Sequence, residues 1–160
     1  MMTLLDKEPV KRVEKCLKEF DQTQKVIILD SSARTASDAA SSLSCEIGAI
    51  VKSLLFKTEN NFILCLIAGD KKASLNKIKK MLNIKDVSMS SADDVKNITG
   101  FTIGGVSPIG HLNKIDIFID NSLKRFNNLY AAAGHPNCIF KINFTDLQKI
   151  SKGSIRELTE

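Results

Sequence analysis

Lys52 could do chemistry, because it interrupts an otherwise apolar stretch at residues 50–56. Side chains alternate along a strand, so Lys52 would share one face with Leu54 and Phe56. A lysine in that position either runs along the apolar surface to reach solvent or projects into a cleft and holds an anion. The pattern alone leaves both interpretations open.

Two glycine-containing segments are the other candidates. Gly104 and Gly105 precede a Val-Ser-Pro sequence. Such a pair forms either a tight turn or a bare backbone whose N–H groups approach a phosphate, a carboxylate or a developing oxyanion. Gly134 and His135 precede Pro136, which predicts a turn between two strands. In that turn His135 either packs or caps, or it lines a pocket and binds a polar substrate group.

Other catalytic and metal-binding patterns are absent from the sequence. It contains no HExxH, GxSxG, GxGxxG or GxxxxGK[ST] pattern, and its two histidines are His111 and His135. The four cysteines, at positions 16, 45, 65 and 138, lack the spacing of a zinc site and lie among apolar or small residues. We therefore expect buried free thiols, no metal and no cofactor.

The segments that position these residues alternate between helix and strand. In the first half the pattern predicts an amphipathic helix at 8–20, a strand at 26–29, a loop at 30–34, a helix from 36 to about 43, a strand within 47–57 and a strand at 62–68. Thr35 with Asp38 has the form of an N-cap box for the second helix. The last two strands are expected to form an antiparallel hairpin that carries Lys52.

The second half continues the alternation. Asp70 is expected to cap a helix whose inward positions are Leu75, Ile78 and Leu82. Ser90 or Ser91 is expected to cap a helix that ends at Gly100. Strands are predicted at 115–119, 129–133 and 138–142, and Thr145 is expected to cap a last helix. This irregular interleaving predicts a mixed α/β (α+β) domain with a curved central sheet.

Length and charge set the outer limits. At 160 residues the chain has the length of one ordinary domain, which we expect to span residues 1–160. Its formal net charge is +5, and between Asp70 and Lys85 six lysines stand against one acid. A lysine-rich helix face is either a solvated surface or a surface for a polyanion. Neither a signal peptide nor an apolar run of membrane-span length is visible, so we expect a cytoplasmic protein that contacts no membrane.

Taken in order, the motifs resemble the YbaK/EbsC family of single-domain aminoacyl-tRNA deacylases. That family is similar to the editing insertion domain of bacterial prolyl-tRNA synthetase. The resemblance covers about residues 25–150 and rests on the segments 34–36, 39–40, 50–56, 68–70, 99–101, 104–111 and 131–134. The segment 30–35 departs from the cysteine-specific deacylases and looks closer to other freestanding members.

The resemblance implies a fold and an activity. The implied fold is a curved, mixed, partly barrel-like sheet of six or seven strands with flanking helices. The implied activity is hydrolysis of the ester of a mischarged tRNA, chiefly tRNA for proline carrying a small wrong amino acid such as alanine or cysteine. Aminoacyl-tRNA and prolyl-tRNA synthetase are the implied partners.

The resemblance also implies roles for particular residues. The implied catalytic residues are Lys52, which would hold the charged 3′ end, and Gly104 and Gly105, which would border the aminoacyl ester. The implied substrate-binding residues are Ser107, Gly134 and His135. A surface for the tRNA backbone would consist of Lys71, Lys72, Lys77 and Lys80.

Two other functions stay open at the level of sequence. One is a non-catalytic module of the same fold that binds tRNA or a synthetase. The other is a small-molecule nucleotide-binding protein that uses the glycine loop for phosphate. Steep weakening of binding with salt is expected for RNA held through several phosphates and not for a small neutral ligand.

Overall fold

The computed structural model describes residues 3–31 and 34–160. Its helices are α1 (Glu8–Phe20), α2 (Ala36–Leu43), α3 (Leu75–Leu82), α4 (Ala92–Thr99) and α5 (Phe144–Ser151). Its strands are β1 (Ile27–Ile28), β2 (Ile50–Thr58), β3 (Phe62–Ala68), β4 (Val87–Met89), β5 (Asp116–Asp120), β6 (Leu129–His135), β7 (Cys138–Ile142) and β8 (Ser154–Arg156). Met1 and Met2 at the N-terminus, and Ser32 and Ala33 of the loop predicted at 30–34, lie outside the described residues.

The strands of the described residues form one mixed sheet. Seven of them follow the order β1-β7-β6-β2-β3-β5-β8, and β4 pairs with β2 beside this path. The mixed α/β class is confirmed, and so is the antiparallel hairpin of β2 and β3. The sheet has eight strands rather than six or seven, because β4 and β8 are only three residues long and escape sequence patterns. It is also not closed as a barrel, since β1 and β8 are its two ends.

One edge of β2 changes partner along its length. β6 runs parallel to β2 at Ile50 and Val51, and β4 runs antiparallel to it from Phe56 to Thr58. Among the described residues no strand pairs with residues 52–55 on that edge. Backbone groups of this stretch that face the edge therefore point into a gap between β6 and β4. One of them, the carbonyl of Leu55, accepts a hydrogen bond from the Ser90 N–H at 3.1 Å.

Alternation along the strands gives the sheet an apolar core on each face. On one face Val51 and Leu55 pack in a cluster with residues from α1, α4 and α5. On the other face Phe56 and Cys65 pack against Ile78 of α3. Because Lys52 alternates with Val51, its side chain starts on the α3 face of β2.

Helix α1 confirms the amphipathic pattern, with Val10, Val13 and Leu17 fully buried. The caps that Thr35 and Ser91 were expected to supply are confirmed, since each side chain accepts a backbone N–H three residues on. None of the helices in the described part of the chain is long and apolar enough to cross a membrane.

Two caps predicted from sequence are wrong. Ser74, not Asp70, caps α3, and the Asp70 carboxylate instead pairs with Arg125 at 2.7 Å. With Ser74 as its cap, α3 begins at Leu75, which is exposed rather than inward as predicted. The last helix is capped by Asn143, whose side-chain oxygen accepts the Asp146 N–H at 2.8 Å, and not by Thr145.

Candidate functional site

A cavity of about 400 Å³ occupies the gap beside β2. Its walls come from the start of α2, the first six residues of β2, the end of β4 and the residue after it, Val95 of α4, the loop at 103–106, and parts of β6 and β7. Because residues 52–55 of β2 have no neighbouring strand on this edge among the described residues, backbone groups as well as side chains are open to the cavity. Of the six residues predicted for catalysis and substrate binding, Lys52, Gly104 and His135 line it.

Lys52 is half-buried at the cavity wall. Its ammonium donates to the carbonyl of Lys71 at 2.5 Å, and within the described residues this is its one hydrogen bond. Burial lowers the pKa of Lys52 below that of a free lysine, and the Asp70 carboxylate nearby opposes the shift. An ammonium has three donors, so two remain for oxygen atoms of a ligand.

The glycine loop reaches the cavity through Gly104 and packs through Gly105. Gly104 has a φ of +95°, and a Cβ placed on it would lie 3.5 Å from the side chains of Arg34 and Pro136. A Cβ on Gly105 would lie only 2.9 Å from the backbone nitrogen of His135. The Gly105 N–H donates to the carbonyl of Thr102 at 3.0 Å. Of the two glycines, only Gly104 is therefore placed to offer its amide to a ligand.

His135 lines the cavity, and one of its two ring nitrogens is already engaged by the backbone. The backbone N–H of Asn137 donates to its Nδ1 at 3.0 Å, so the neutral ring carries its proton on Nε2. Burial lowers the pKa of His135, and the positive charges of Lys7 and Arg34 lower it further. A neutral His135 is thus a hydrogen-bond donor through Nε2 rather than a base.

Ser107 and Gly134, which the resemblance assigns to the substrate, do not line the cavity. The buried Ser107 hydroxyl accepts a hydrogen bond from the Ile109 N–H at 3.2 Å. The backbone carbonyl of Ser107 is hydrogen-bonded to His111 Nε2 at 2.7 Å. Gly134 has a φ of +91°, and a Cβ there would lie 2.8 Å from the backbone of Pro9. The surroundings of both residues are those of packing positions that hold the loop and the turn in place.

Among the cavity residues that were not singled out as site residues from the sequence, Arg34, Ser53 and Ser90 carry polar groups that bear on the site. Arg34 brings a second cation to the wall, next to Gly104. The hydroxyls of Ser53 and Ser90 are buried and find no hydrogen-bond partner within residues 3–31 and 34–160. Arg34 and Ser53 belong to the segments that carry the family resemblance, which was the available signal. For Ser90 the sequence offered no such signal, only its position before a predicted helix.

The lysine-rich segment at 71–85 does not line the cavity, and its helix α3 packs through Ile78 against the cluster that contains Phe56 and Cys65. Lys77 is engaged with the C-terminal strand region, through an ion pair with Glu157 at 2.9 Å and a bond to the Thr159 carbonyl at 2.6 Å. Lys71 is half-buried and meets the site through its carbonyl. Lys72 and Lys80 are exposed.

Cysteine chemistry is not available at the cavity. All four cysteines are free thiols, and Cys16 and Cys45 are only partly buried. Cys138 lines the cavity, where burial raises its pKa and keeps the thiol in its unreactive protonated form. The described residues contain no group of three or more His, Cys, Asp or Glu that could hold a metal ion.

Comparison with known proteins relates this chain to tRNA editing. A model of the aminoacyl-tRNA editing domain matches residues 30–150. The proline--tRNA ligase of Caldicellulosiruptor bescii is 28% identical over 154 residues, which are 96% of this chain and 26% of the ligase. This chain thus spans about a quarter of the length of that relative.

Two freestanding proteins match over nearly their whole length. The uncharacterized protein YwhH of Bacillus subtilis is 29% identical over 143 residues, which cover 89% of this chain and 90% of YwhH. A solved structure described as a candidate trans-editing enzyme for prolyl tRNA synthetase superimposes with a TM-score of 0.90 at 30% identity, covering 96% of this chain and 98% of that one. With the model match over most of its length, this chain belongs to the aminoacyl-tRNA editing domain family.

Proposed function

We propose that this protein is a trans-editing deacylase that hydrolyses the ester between a wrong amino acid and tRNA, with tRNA for proline as the carrier. The observation that carries the proposal is the cavity in which Lys52, Gly104 and His135 meet beside an apolar wall. Membership of the editing family and the relatives named above support the same activity. Prolyl-tRNA synthetase is the proposed partner, and the cytoplasm, where tRNA is charged, is the proposed location.

The proposed reaction needs few catalytic side chains. Water adds to the carbonyl carbon of the ester and forms a tetrahedral oxyanion, after which the bond to the ribose oxygen breaks. Of the two protons of the attacking water, one goes to that oxygen, which leaves as a hydroxyl, and the other goes to solvent as the amino acid is released as a carboxylate. Because the ester is already activated, holding it in place and stabilising the oxyanion supply most of the rate.

Each cavity residue has a role that its free hydrogen-bonding groups allow. The two remaining Lys52 donors bind a phosphate or ribose oxygen of the terminal adenosine. The Gly104 amide, which finds no acceptor within residues 3–31 and 34–160, donates to the oxyanion. The Nε2–H of His135 donates to the aminoacyl group or to an ordered water.

An editing site of this kind complements the limited selectivity of a synthetase. A binding pocket separates amino acids that differ by one methylene by only about 1–3 kcal/mol, so small wrong amino acids are loaded at a low rate. A second site removes them. We propose that the amino acid removed is a small one, and that the size of this cavity and its apolar wall limit what enters.

The test is deacylation of tRNA for proline charged in turn with several amino acids. We expect Lys52→Ala to reduce kcat/KM by about 10²-fold or more, because loss of the contact that holds the terminal adenosine misplaces the ester. Lys57→Ala is the matched control, because Lys57 is an exposed lysine on the same strand outside the cavity, and it should leave the rate unchanged. Equal activity of wild type and Lys52→Ala would remove Lys52 from the site. Binding of tRNA without cleavage of any ester would make the protein a non-catalytic module.

A further inference from the structure

The turn that holds Lys52 also carries an acid. It spans residues 68–71, since the Lys71 N–H donates to the Ala68 carbonyl at 3.0 Å. The carbonyl of Lys71 accepts a hydrogen bond from the Lys52 ammonium at 2.5 Å. The residue before it is Asp70, whose carboxylate lies close enough for its charge to act on that ammonium. The chain therefore places a carboxylate one residue away from the group that holds the lysine of the site.

A free carboxylate at this point would compete with a ligand for Lys52. Two of the three ammonium donors make no hydrogen bond within residues 3–31 and 34–160, and an ammonium binds a carboxylate oxygen as well as a phosphate oxygen. The lining of the cavity shows no such pairing, because Arg34 and Lys52 line it and no acidic residue of the described part of the chain does. Some other group must therefore hold the Asp70 carboxylate.

Arg125 occupies both oxygens of that carboxylate. Its Nη1 donates to Asp70 Oδ2 at 2.9 Å and its Nη2 to Oδ1 at 2.7 Å, a two-pronged geometry that suits the arginine fork. The guanidinium is itself fixed, because Nε donates to the Ser122 carbonyl at 2.7 Å and the group lies 4.9 Å from the centre of the Phe126 ring. These hydrogen bonds hold the pKa of Asp70 below its usual value. The carboxylate is thus charged at neutral pH and bound away from Lys52.

A recess in the packing receives the same carboxylate. A Cβ on Gly48 would lie 2.9 Å from Asp70 Cγ and 2.7 Å from Phe126 Cζ. The φ angle of Gly48 is not positive, so the backbone does not require glycine at this position. Space for the Asp70 carboxylate and the Phe126 ring does require it. The position of the carboxylate is therefore set by packing as well as by charge.

From this arrangement we infer that Arg125 is a positioning residue of the site: it binds the Asp70 carboxylate and thereby leaves the Lys52 ammonium free for an oxygen of the substrate. The inference rests on the proposed function, which supplies that oxygen from the terminal adenosine. It adds a residue that does not line the cavity. The turn then acts on Lys52 in two ways, because the Lys71 carbonyl orients the ammonium while the neighbouring acid is kept from it.

The first measurement is a double-mutant cycle on the ester that wild type cleaves fastest. Arg125→Met keeps the length of the side chain but cannot hold a carboxylate, so Asp70 is free to pair with Lys52. We expect kcat/KM to fall about tenfold, mainly through KM, because a charged hydrogen bond to the substrate is lost. Asp70→Asn alone should stay within about threefold of wild type, since no competing charge remains. Adding Asp70→Asn to Arg125→Met should restore the rate to that level.

Lys124→Gln is the matched control for the lost charge. Lys124 is the residue before Arg125 and is exposed, and its ammonium lies 5.6 Å from the centre of the Phe144 ring. Its replacement removes one positive charge without freeing Asp70, so kcat and KM should stay those of wild type. A loss in Lys124→Gln equal to that in Arg125→Met would overturn the inference in favour of a general effect of charge.

The second measurement follows Lys52 itself, without substrate. An anion brought nearer to an ammonium raises its pKa, so an NMR titration of the Lys52 side chain should give a higher pKa in Arg125→Met than in wild type. The double variant should lose this increase. Lys71 is the other lysine whose charge acts on Asp70. If the freed carboxylate pairs with Lys71 instead, the Lys52 pKa will not rise, and the inference is wrong.

Failure of this inference and failure of the proposed function give different results. If Arg125 only stabilises the turn, the double variant will be as slow as Arg125→Met or slower, and its Tm will fall with the rate. The inference is then overturned while the protein remains a deacylase. If wild type cleaves no ester, the proposed function falls, and the Lys52 titration alone decides whether Arg125 keeps Asp70 from Lys52.

Discussion

Gly104 and Gly134 share an unusual backbone conformation but differ in their surroundings. Their φ angles are +95° and +91°, a region that side chains disfavour. A Cβ on Gly104 would meet side-chain atoms at 3.5 Å, an ordinary contact, whereas a Cβ on Gly134 would meet the Pro9 backbone at 2.8 Å. The backbone at the start of α1 cannot shift as a side chain can. At position 134 glycine is therefore required both by packing and by its φ angle. At position 104 it is required by the φ angle alone.

Alanine substitutions should separate these two requirements. We expect Gly104→Ala to lower the free energy of unfolding by about 1–2 kcal/mol, the cost of a side chain in the left-handed region. Gly134→Ala adds overpacking of about 1–3 kcal/mol, so its total loss should be about 2–5 kcal/mol. Urea denaturation measures both values. Equal losses in the two variants would show that the contact with Pro9 relaxes freely.

Single residues differ in how much of their role the sequence could predict. Lys52 and His135 stood out because their types are unusual in an apolar strand and a tight turn, and both line the cavity. Ser90 did not stand out, because a serine before a helix is ordinarily a cap. The neighbouring Ser91 fills that role, and the burial of Ser90 depends on β2, more than thirty residues earlier in the chain. No local pattern contains that information.

At the scale of elements, Arg12 of α1 is hydrogen-bonded to both ends of the segment 100–110, which contains the glycine loop. Its guanidinium donates to the carbonyl of Gly100 at 2.9 Å and to that of Gly110 at 3.0 Å. It also lies 4.8 Å from the centre of the Phe101 ring. The planar fork of an arginine can make both backbone bonds at once, which a lysine cannot do in the same geometry. Arg12 is thus a positioning residue for the loop that carries Gly104.

Replacement of Arg12 by lysine should loosen this loop while keeping the charge. A hydrogen bond from a charged donor contributes about 1.5–3 kcal/mol, so loss of one bond should lower the free energy of unfolding by about that amount. We also expect kcat to fall more than KM rises, because substrate groups held by Lys52 stay in place. Thermal denaturation and deacylation kinetics measure these effects, with Lys11→Arg, at an exposed position on the same helix, as the control. A wild-type Tm in Arg12→Lys would contradict the clamp.

Predictions of helix caps and strands succeeded where the pattern that determines them is local. They failed where a residue far along the chain takes part. The caps at Thr35 and Ser91 follow from residues three apart and are confirmed. Asp70 has the chemistry of a cap, but Arg125, far along the chain, takes its carboxylate in a two-pronged pair. The open edge of β2 that makes room for the cavity arises because β4 and β6 stop short of each other, which only the assembled sheet determines.

At the scale of the whole molecule, positive charge lies both within the cavity and beside it: Arg34 and Lys52 line the cavity, and no acidic residue of the described chain does. The carbonyl of Lys71 holds the Lys52 ammonium, so the turn that contains Lys71 and Lys72 borders the site. Helix α3 follows this turn on the face of β2 from which the Lys52 side chain starts, and it presents Lys80 to solvent. A tRNA whose 3′ end enters the cavity would pass this turn, and its acceptor stem would meet the exposed lysines. We propose Lys72 and Lys80 as the phosphate contacts, since Lys77 is already paired with Glu157.

Charge reversal tests this surface without touching the cavity. We expect Lys72→Glu with Lys80→Glu to weaken tRNA binding and to reduce the slope of log K against log salt by about 2, one for each lost phosphate contact. Cleavage of a minimal substrate, aminoacyl-adenosine, should keep its wild-type rate, because that substrate has no acceptor stem. Lys114→Glu with Lys149→Glu changes the net charge equally at exposed positions elsewhere and should leave the salt slope unchanged. If both double variants lose tRNA affinity alike, the lysines act through net charge alone, and if neither does, the stem lies on another face.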